Sequence, residues 1–519
     1  GEIEPGEALQ FSDCTIGSGI AKLVAQCTTL EVPLDPESAT AGMLELAIAR
    51  IPARRQSSRT DAFTLLAGGP GQSAIETFPG VASAFRHVMK DQDVILIDQR
   101  GTGDSARLDC PQSTDSLSLQ FDDDAATLRR LAQECLATFE HDPTLFTTSI
   151  AVQDLEIARQ ALGISQWNLY GISYGTRVAL HYLRRYPDAV RTLTLDAVVP
   201  PTVALGPDIG PLAQRSLDLI FQRCLESPGC NEAFGDMHGP TMELLDSLEN
   251  QPRIVSYEDV VSGRLSTMEF TRQHLAIMLR LLSYSSQTAA ILPSMLHDAI
   301  VNDNFAPLAR QVSLQSESLG DSLSTGMHHA IICTEDAPRM NRDEDGLRMN
   351  RDEDGLRTHR DEDGLRMHHD GDALRTHRVE DTHQARLDEA DEKPNLQSNS
   401  YLGEHVVESL LATCSDWPIG RIDADFHDPV ASATAPVLIL SGGADPITPP
   451  SYGEQAAATL GNSRHLVNAD QGHMQAPFGC MPVLLAQFLD SVDPQGLDTQ
   501  CLERLRVAPF FIDANGPLP

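Results

Sequence analysis

One ten-residue stretch limits what this chain can become: Trp167 to Thr176, reading WNLYGISYGT. A short apolar run ends in Gly171-Ile172-Ser173-Tyr174-Gly175, and helix-forming residues follow as far as Pro187. When a strand turns straight into a helix, the side chains flanking the turn collide unless both flanks are glycine. G-x-S-x-G in that setting is the pattern of a nucleophile elbow, with the serine hydroxyl raised at the carboxyl edge of the sheet. The same turn aims the backbone N–H of the next residue, Tyr174, at the same spot.

The surrounding sequence supplies the sheet that such a turn needs. Residues 27–35 and 42–52 read as two antiparallel strands, and 61–67, 93–98, 166–170 and 190–195 as buried ones. Helical patterns fall near 124–140, 150–162 and 174–186. Strands alternating with helices imply an α/β fold with a mostly parallel sheet covered on both faces. After Pro200-Pro201 the alternation stops. Residues 205–330 read as largely helical, with amphipathic stretches near 211–226, 241–250, 271–283 and 287–300. Alternation resumes with strands at 436–441 and 463–467 and a closing helix from about 480 to 491. The expected layout is a core from 1–200, a helical cap over 201–430 inserted between the sixth and seventh strands, and the rest of the core over 431–519.

Residues 339–383 hold five copies of a nonapeptide: RMNRDEDGL twice, then RTHRDEDGL, RMHHDGDAL and RTHRVEDTH. Each copy is too charged to bury a core, which predicts a solvated, flexible or partly helical insertion. A calcium-binding solenoid would want paired glycines and a regular apolar position that forms a strand, and the glycines here are not paired.

Aspartate and glutamate outnumber lysine and arginine 74 to 38, for a net charge of −36. That argues against a nucleic-acid partner, because phosphate binding needs clustered cations. With no apolar run of about 20 residues, no membrane span is expected. The ten cysteines are even in number, and pairing in chain order would give Cys14–Cys27, Cys110–Cys135, Cys224–Cys230, Cys333–Cys414 and Cys480–Cys501; the alternative is ten reduced core cysteines in a cytosolic protein. Such a set suits a periplasmic or secreted protein. There is no C-x-x-C, and no metal site is expected.

A serine hydroxyl needs a base within hydrogen-bond reach, and the base needs an orienting carboxylate. Where an elbow carries the serine, the partners follow in the chain order serine, acid, histidine. Ser173, Asp445 and His473 occur in that order, each just past the end of an expected strand. Loops at one sheet edge converge, so the three are the expected catalytic set. The oxyanion hole needs two N–H donors. Tyr174 offers one, and Gly69 in Gly68-Gly69-Pro70-Gly71 is the favoured second, with Gly68 as the neighbour that could replace it.

GGPGQS, DQRGTGDS, GISYGTRVALHYLRRYPD, GGADPITPP and the Gly-His before the final helix together resemble the serine exopeptidase branch of the α/β-hydrolases. That branch includes prolyl aminopeptidases and secreted tripeptidyl aminopeptidases. The resemblance covers 27–200 and 430–505. One departure is Ala67, where the family often has histidine before GGPG. The resemblance implies an α/β-hydrolase fold and release of a residue or short peptide from a substrate's amino end. It implies an acyl-enzyme and no metal or organic cofactor. It also implies cap acids that hold the substrate ammonium, here Glu335 and then Asp336 in IICTED. The rival expectations are a carboxylesterase with the same triad, acting on small or apolar esters, and a binding protein on the same fold. Oligomeric state is left open.

Overall fold

The computed structural model describes residues 9–110 apart from 20, 39 and 56–58, residues 124–343 apart from 261, residues 346–349, and residues 400–517 apart from 404 and 514. Its strands are β1 (Ser12–Ile16), β2 (Leu23–Pro33), β3 (Met43–Ile51), β4 (Ala62–Leu66), β5 (Val94–Ile97), β6 (Trp167–Ile172), β7 (Val190–Asp196), β8 (Arg253–Glu258), β9 (Leu265–Phe270), β10 (Met340–Asp343), β11 (Gly346–Met349), β12 (Val437–Gly442) and β13 (Ser463–Asn468). Nine of them form one sheet in the order β1-β2-β3-β5-β4-β6-β7-β12-β13. β1, β2, β3 and β5 pair antiparallel, and every pairing from β5 to β13 is parallel. The parallel strands β4, β6, β12 and β13 therefore end at one edge, and the loops after them meet there.

Burial follows coverage. Every residue of β5, β6 and β12 is buried, as in strands covered on both faces. β1, reading SDCTI, lies at the sheet's edge and is mostly exposed. Its short polar sequence hid it, so the sheet has one strand more than expected and the large insertion follows the seventh strand of the sheet, not the sixth.

The insertion holds helices Ile209–Glu226, His238–Asn250, Arg272–Leu282, Leu292–Asn302 and Ala306–Ser322. It also holds the antiparallel ribbon β8–β9, which the sequence did not predict. Val255 and Tyr257 of β8 are buried, but Ile254 and Leu265 are exposed. Apolar residues on both faces mask a two-residue period, which explains the miss. One apolar cluster runs through 209–312 and takes in Tyr401, Leu402 and Val406. Met327, Ala330, Ile331, Cys333, Trp417 and Val430 instead join the cluster beneath the sheet. The apolar side chains thus divide the chain more finely than a cap over 201–430.

All ten cysteines are bridged, in the five pairs that chain order gives. No helix among the described residues is long and apolar enough to cross a membrane. The start of the repeat forms the hairpin β10–β11, with Met340 opposite Met349. The expectation of a flexible insertion for the remaining copies lies outside the described residues.

Candidate active site

β6 runs into the helix Tyr174–Arg185 through a single residue, Ser173, at φ 54° and ψ −125°. This is a left-handed conformation that L side chains rarely adopt, and strain of this kind is concentrated at functional sites. The flanking glycines are dictated by contact. A Cβ on Gly171 would lie 2.5 Å from the Gly175 carbonyl oxygen, and one on Gly175 only 2.1 Å from that of Leu66. The Ser173 N–H donates to the Asp196 carbonyl at 3.0 Å, and the Thr176 hydroxyl to the Ser173 carbonyl at 2.6 Å.

Asp445 and His473 meet beyond β12 and β13. His473 Nδ1 lies 2.8 Å from Asp445 Oδ2. The Asp445 carboxylate is fully buried and also accepts the N–H groups of Ile447 and Thr448, each at 2.9 Å, and the Thr448 hydroxyl at 2.7 Å. Burial pushes the Asp445 carboxyl up, but His473 and these donors outweigh it and hold it below the usual carboxylate value. Burial alone would push the His473 imidazole down; its Asp445 partner reverses this and holds it above 6.5. With Nδ1 committed to Asp445, Nε2 is the nitrogen left for proton transfer. Neither Nε2 nor the Ser173 hydroxyl makes a hydrogen bond among the described residues.

Asp196, at the end of β7, was not singled out from sequence, and it fastens these parts together. Its carbonyl holds the Ser173 N–H, as above. Its carboxylate accepts the N–H of Gln475 at 2.7 and 2.8 Å, the N–H of Ala476 at 3.0 Å, and the Tyr170 hydroxyl. Gln475 is two residues past His473, so one residue ties the elbow to the histidine loop. Burial pushes the Asp196 carboxyl up to about 6.

Asp98, just past β5, does the same for the glycine-rich loop. It accepts the Ser73 hydroxyl at 2.6 Å, the Ile75 N–H at 3.0 Å and the Asp104 N–H at 3.3 Å. Burial pushes its carboxyl up to about 6 as well. A carboxylate closing a buried apolar strand is the signal that would have found both. The glycine-rich loop is braced from the other side by the insertion. Ser324 N–H donates to the Gly71 carbonyl at 2.9 Å, and His328 Nδ1 lies 3.1 Å from the Pro70 carbonyl. Gly68 packs against the elbow, where a Cβ would sit 3.2 Å from that of Ser173. The loop bearing Gly69 is thereby set beside Ser173, and Tyr174 opens the helix with an N–H that no helical carbonyl can accept.

Glu335 and Asp336, the acids that the resemblance implies for the substrate ammonium, are held by groups of the protein itself. Both are fully buried. Asp336 faces Arg177 Nη1 at 3.0 and 3.1 Å and accepts the Leu205 N–H at 3.0 Å. Glu335 accepts the Thr148 N–H at 2.8 Å and the Thr148 hydroxyl at 3.1 Å, with Arg177 at 3.8 Å. Burial pushes the Glu335 carboxyl up to about 7, against the pull of Arg177. Arg177 is thus set against two carboxylates, and Arg339 lies 3.6 Å from Asp336. Thr148 Oγ1 lies 2.6 Å from the Tyr174 hydroxyl, so Glu335 braces the residue after the nucleophile. Among the described residues no group of three or more His, Cys, Asp or Glu is arranged to hold a metal ion.

A mostly parallel sheet, a serine on a strained strand-to-helix turn and an acid–histidine pair at the same edge define an α/β-hydrolase. The chain belongs to that class: residues 61–232 match the family described as alpha/beta hydrolase fold, and residues 399–501 the family described as TAP-like protein. A tripeptidyl aminopeptidase of Streptomyces lividans is 30% identical over 210 residues, which are 37% of this chain and 39% of that protein. The chain thus spans about two fifths of that relative's length. Serine protease Hip1 of Mycobacterium bovis is 25% identical over 502 residues, covering 88% of this chain and 84% of its own. A solved proline iminopeptidase of Mycobacterium smegmatis aligns at 16% identity and a TM-score of 0.34, over 89% of this chain and 97% of that one.

Proposed function

We propose that the protein is a serine hydrolase that releases residues or short peptides from the amino end of peptide substrates, as prolyl or tripeptidyl aminopeptidases do. The observation that carries this reading is the Asp445–His473 contact at the sheet edge where Ser173 is held on its strained turn. The names of the relatives favour peptides over other acyl substrates.

Ser173 Oγ attacks the scissile carbonyl carbon while His473 Nε2 takes its proton. Asp445 holds the imidazole tautomer and balances the imidazolium. The Tyr174 and Gly69 N–H groups bind the developing oxyanion. The C–N bond then breaks, and His473 returns the proton to the leaving amine. Water attacks the acyl-serine ester, with its proton going to His473 and then to Ser173 Oγ. The chain's own residues supply each step. Five disulfides favour an oxidising compartment, the periplasm or the exterior.

The test is labelling of Ser173 by a fluorophosphonate, alongside turnover of tripeptide anilides with free and blocked amino ends and of p-nitrophenyl esters. The reading expects labelling at Ser173 and faster cleavage of free-amino anilides. Ester turnover without anilide turnover would make the protein a carboxylesterase.

A further inference from the structure

The helix Arg272–Leu282 begins with a capping box between Thr271 and His274, and its apolar face is buried in the cap. Its two ends treat arginine differently. Arg272 faces Glu249 at 3.4 Å and donates to the Tyr401 carbonyl at 2.9 Å. Arg280, two turns on, joins no carboxylate among the described residues. Its Nη2 donates to the Tyr284 hydroxyl at 3.1 Å, its guanidinium carbon lies 5.9 Å from that ring's centre, and its Nε is shielded from solvent with no partner.

Tyr284 carries this guanidinium to the catalytic loop. Its carbonyl accepts the His473 N–H at 2.7 Å, and its ring lies 5.2 Å from the imidazole, edge to face. The Arg280 charge also reaches His328, on the Pro70 carbonyl of the glycine-rich loop, and Tyr401, whose buried hydroxyl has no partner.

A guanidinium with no carboxylate beside it among the described residues is anomalous here on two counts. Carboxylates are abundant in a chain with 74 acidic and 38 basic residues, yet none of the described ones is placed on it. A fixed positive charge near His473 also opposes the imidazolium that general-base catalysis must form. A carboxylate arriving with the substrate would answer both, and the guanidinium fork suits that partner.

We infer that Arg280 is a specificity-determining residue that binds a carboxylate of the peptide substrate, on an acidic side chain or at the free carboxyl end of a short peptide. The inference rests on the peptidase reading above, so its test separates binding from turnover. Calorimetry on Ser173→Ala would compare tetra-alanine acid with tetra-alanine amide, and tetra-alanine amides bearing Asp or Asn at each position in turn. The first pair reports an end carboxylate and the others a side-chain one. At least one acidic member should bind about tenfold tighter than its neutral partner. Adding Arg280→Gln should equalise that pair, and Arg280→Lys should keep part of the difference, which guards against a merely damaged fold. Equal binding in every pair, or a preference that survives Arg280→Gln, overturns the inference. Fluorophosphonate labelling of the protein with Ser173 intact reports separately on the hydrolase reading. Charge-dependent binding without labelling would sink that reading and leave the role of Arg280 standing.

Discussion

Two clusters of buried carboxylates touch the elbow, and they are built on opposite principles. Asp196 faces no arginine among the described residues: its carboxylate is met by two backbone N–H groups of the histidine loop and by Tyr170. Glu335 and Asp336 face Arg177, whose guanidinium is fully buried between them and Val203. The first gives its acceptors to the loop that carries His473, the base of the proposed mechanism. The second sets two acids around one buried guanidinium. Acidity alone does not mark a ligand site; what already satisfies the acid decides.

The sharpest test lies at the rim itself. Asp445→Asn should lower kcat by about 10³–10⁴-fold with little change in melting temperature, since the imidazole loses its tautomer and its counter-charge. Next comes the opposite outcome in the arginine cluster. Asp336→Ala should destabilise the protein by about 3–5 kcal/mol in denaturant unfolding by leaving Arg177 with only Glu335 at 3.8 Å, while the folded fraction keeps its turnover. A variant that stays stable but loses substrate binding would return Asp336 to the ligand role.

Asp196→Ala should fall between these. Loosening the histidine loop should cost about 10²-fold in kcat and much less in KM. An equal loss in both would break the contrast drawn here. The pH profile gives a smaller graded effect. Only neutral imidazole can take the Ser173 proton, so kcat/KM should fall about tenfold per unit on the acid side. That limb should lie above 6.5, because Asp445 raises the His473 pKa, and should move down in Asp445→Asn.

Glu335→Gln should do least, changing turnover by less than about twofold for free-amino and blocked substrates alike. The buried acid is held up at about 7 against an ordinary 4.5, so the folded form binds its proton more tightly than the unfolded chain. Stability should therefore fall as pH rises from 4.5 to 7, and glutamine should remove that slope. A selective loss on free-amino substrates would instead restore Glu335 as the ammonium anchor.

Much was legible before any coordinates. Gly171 and Gly175 record a backbone contact that admits no Cβ, so the elbow is written in local sequence. Asp445 and His473 were placed by strand ends and chain order, and both follow from one-dimensional patterns of period two and turn residues. The ribbon β8–β9 and the edge strand β1 were not legible, because exposed apolar residues in one and polar residues in the other blur the period. Asp196, Asp98 and Tyr284 matter through partners distant in sequence: Asp196 meets Ala476, 280 residues on, Asp98 meets Ser73, 25 residues back, and Tyr284 meets His473. Local sequence determined which residues sit at strand ends, since steric and hydrophobic patterns act between neighbours. Tertiary structure alone decided which buried acid positions the His473 loop, which is already paired with arginine, and which arginine lacks a carboxylate among the described residues. The worth of a buried charge depends on what surrounds it in space.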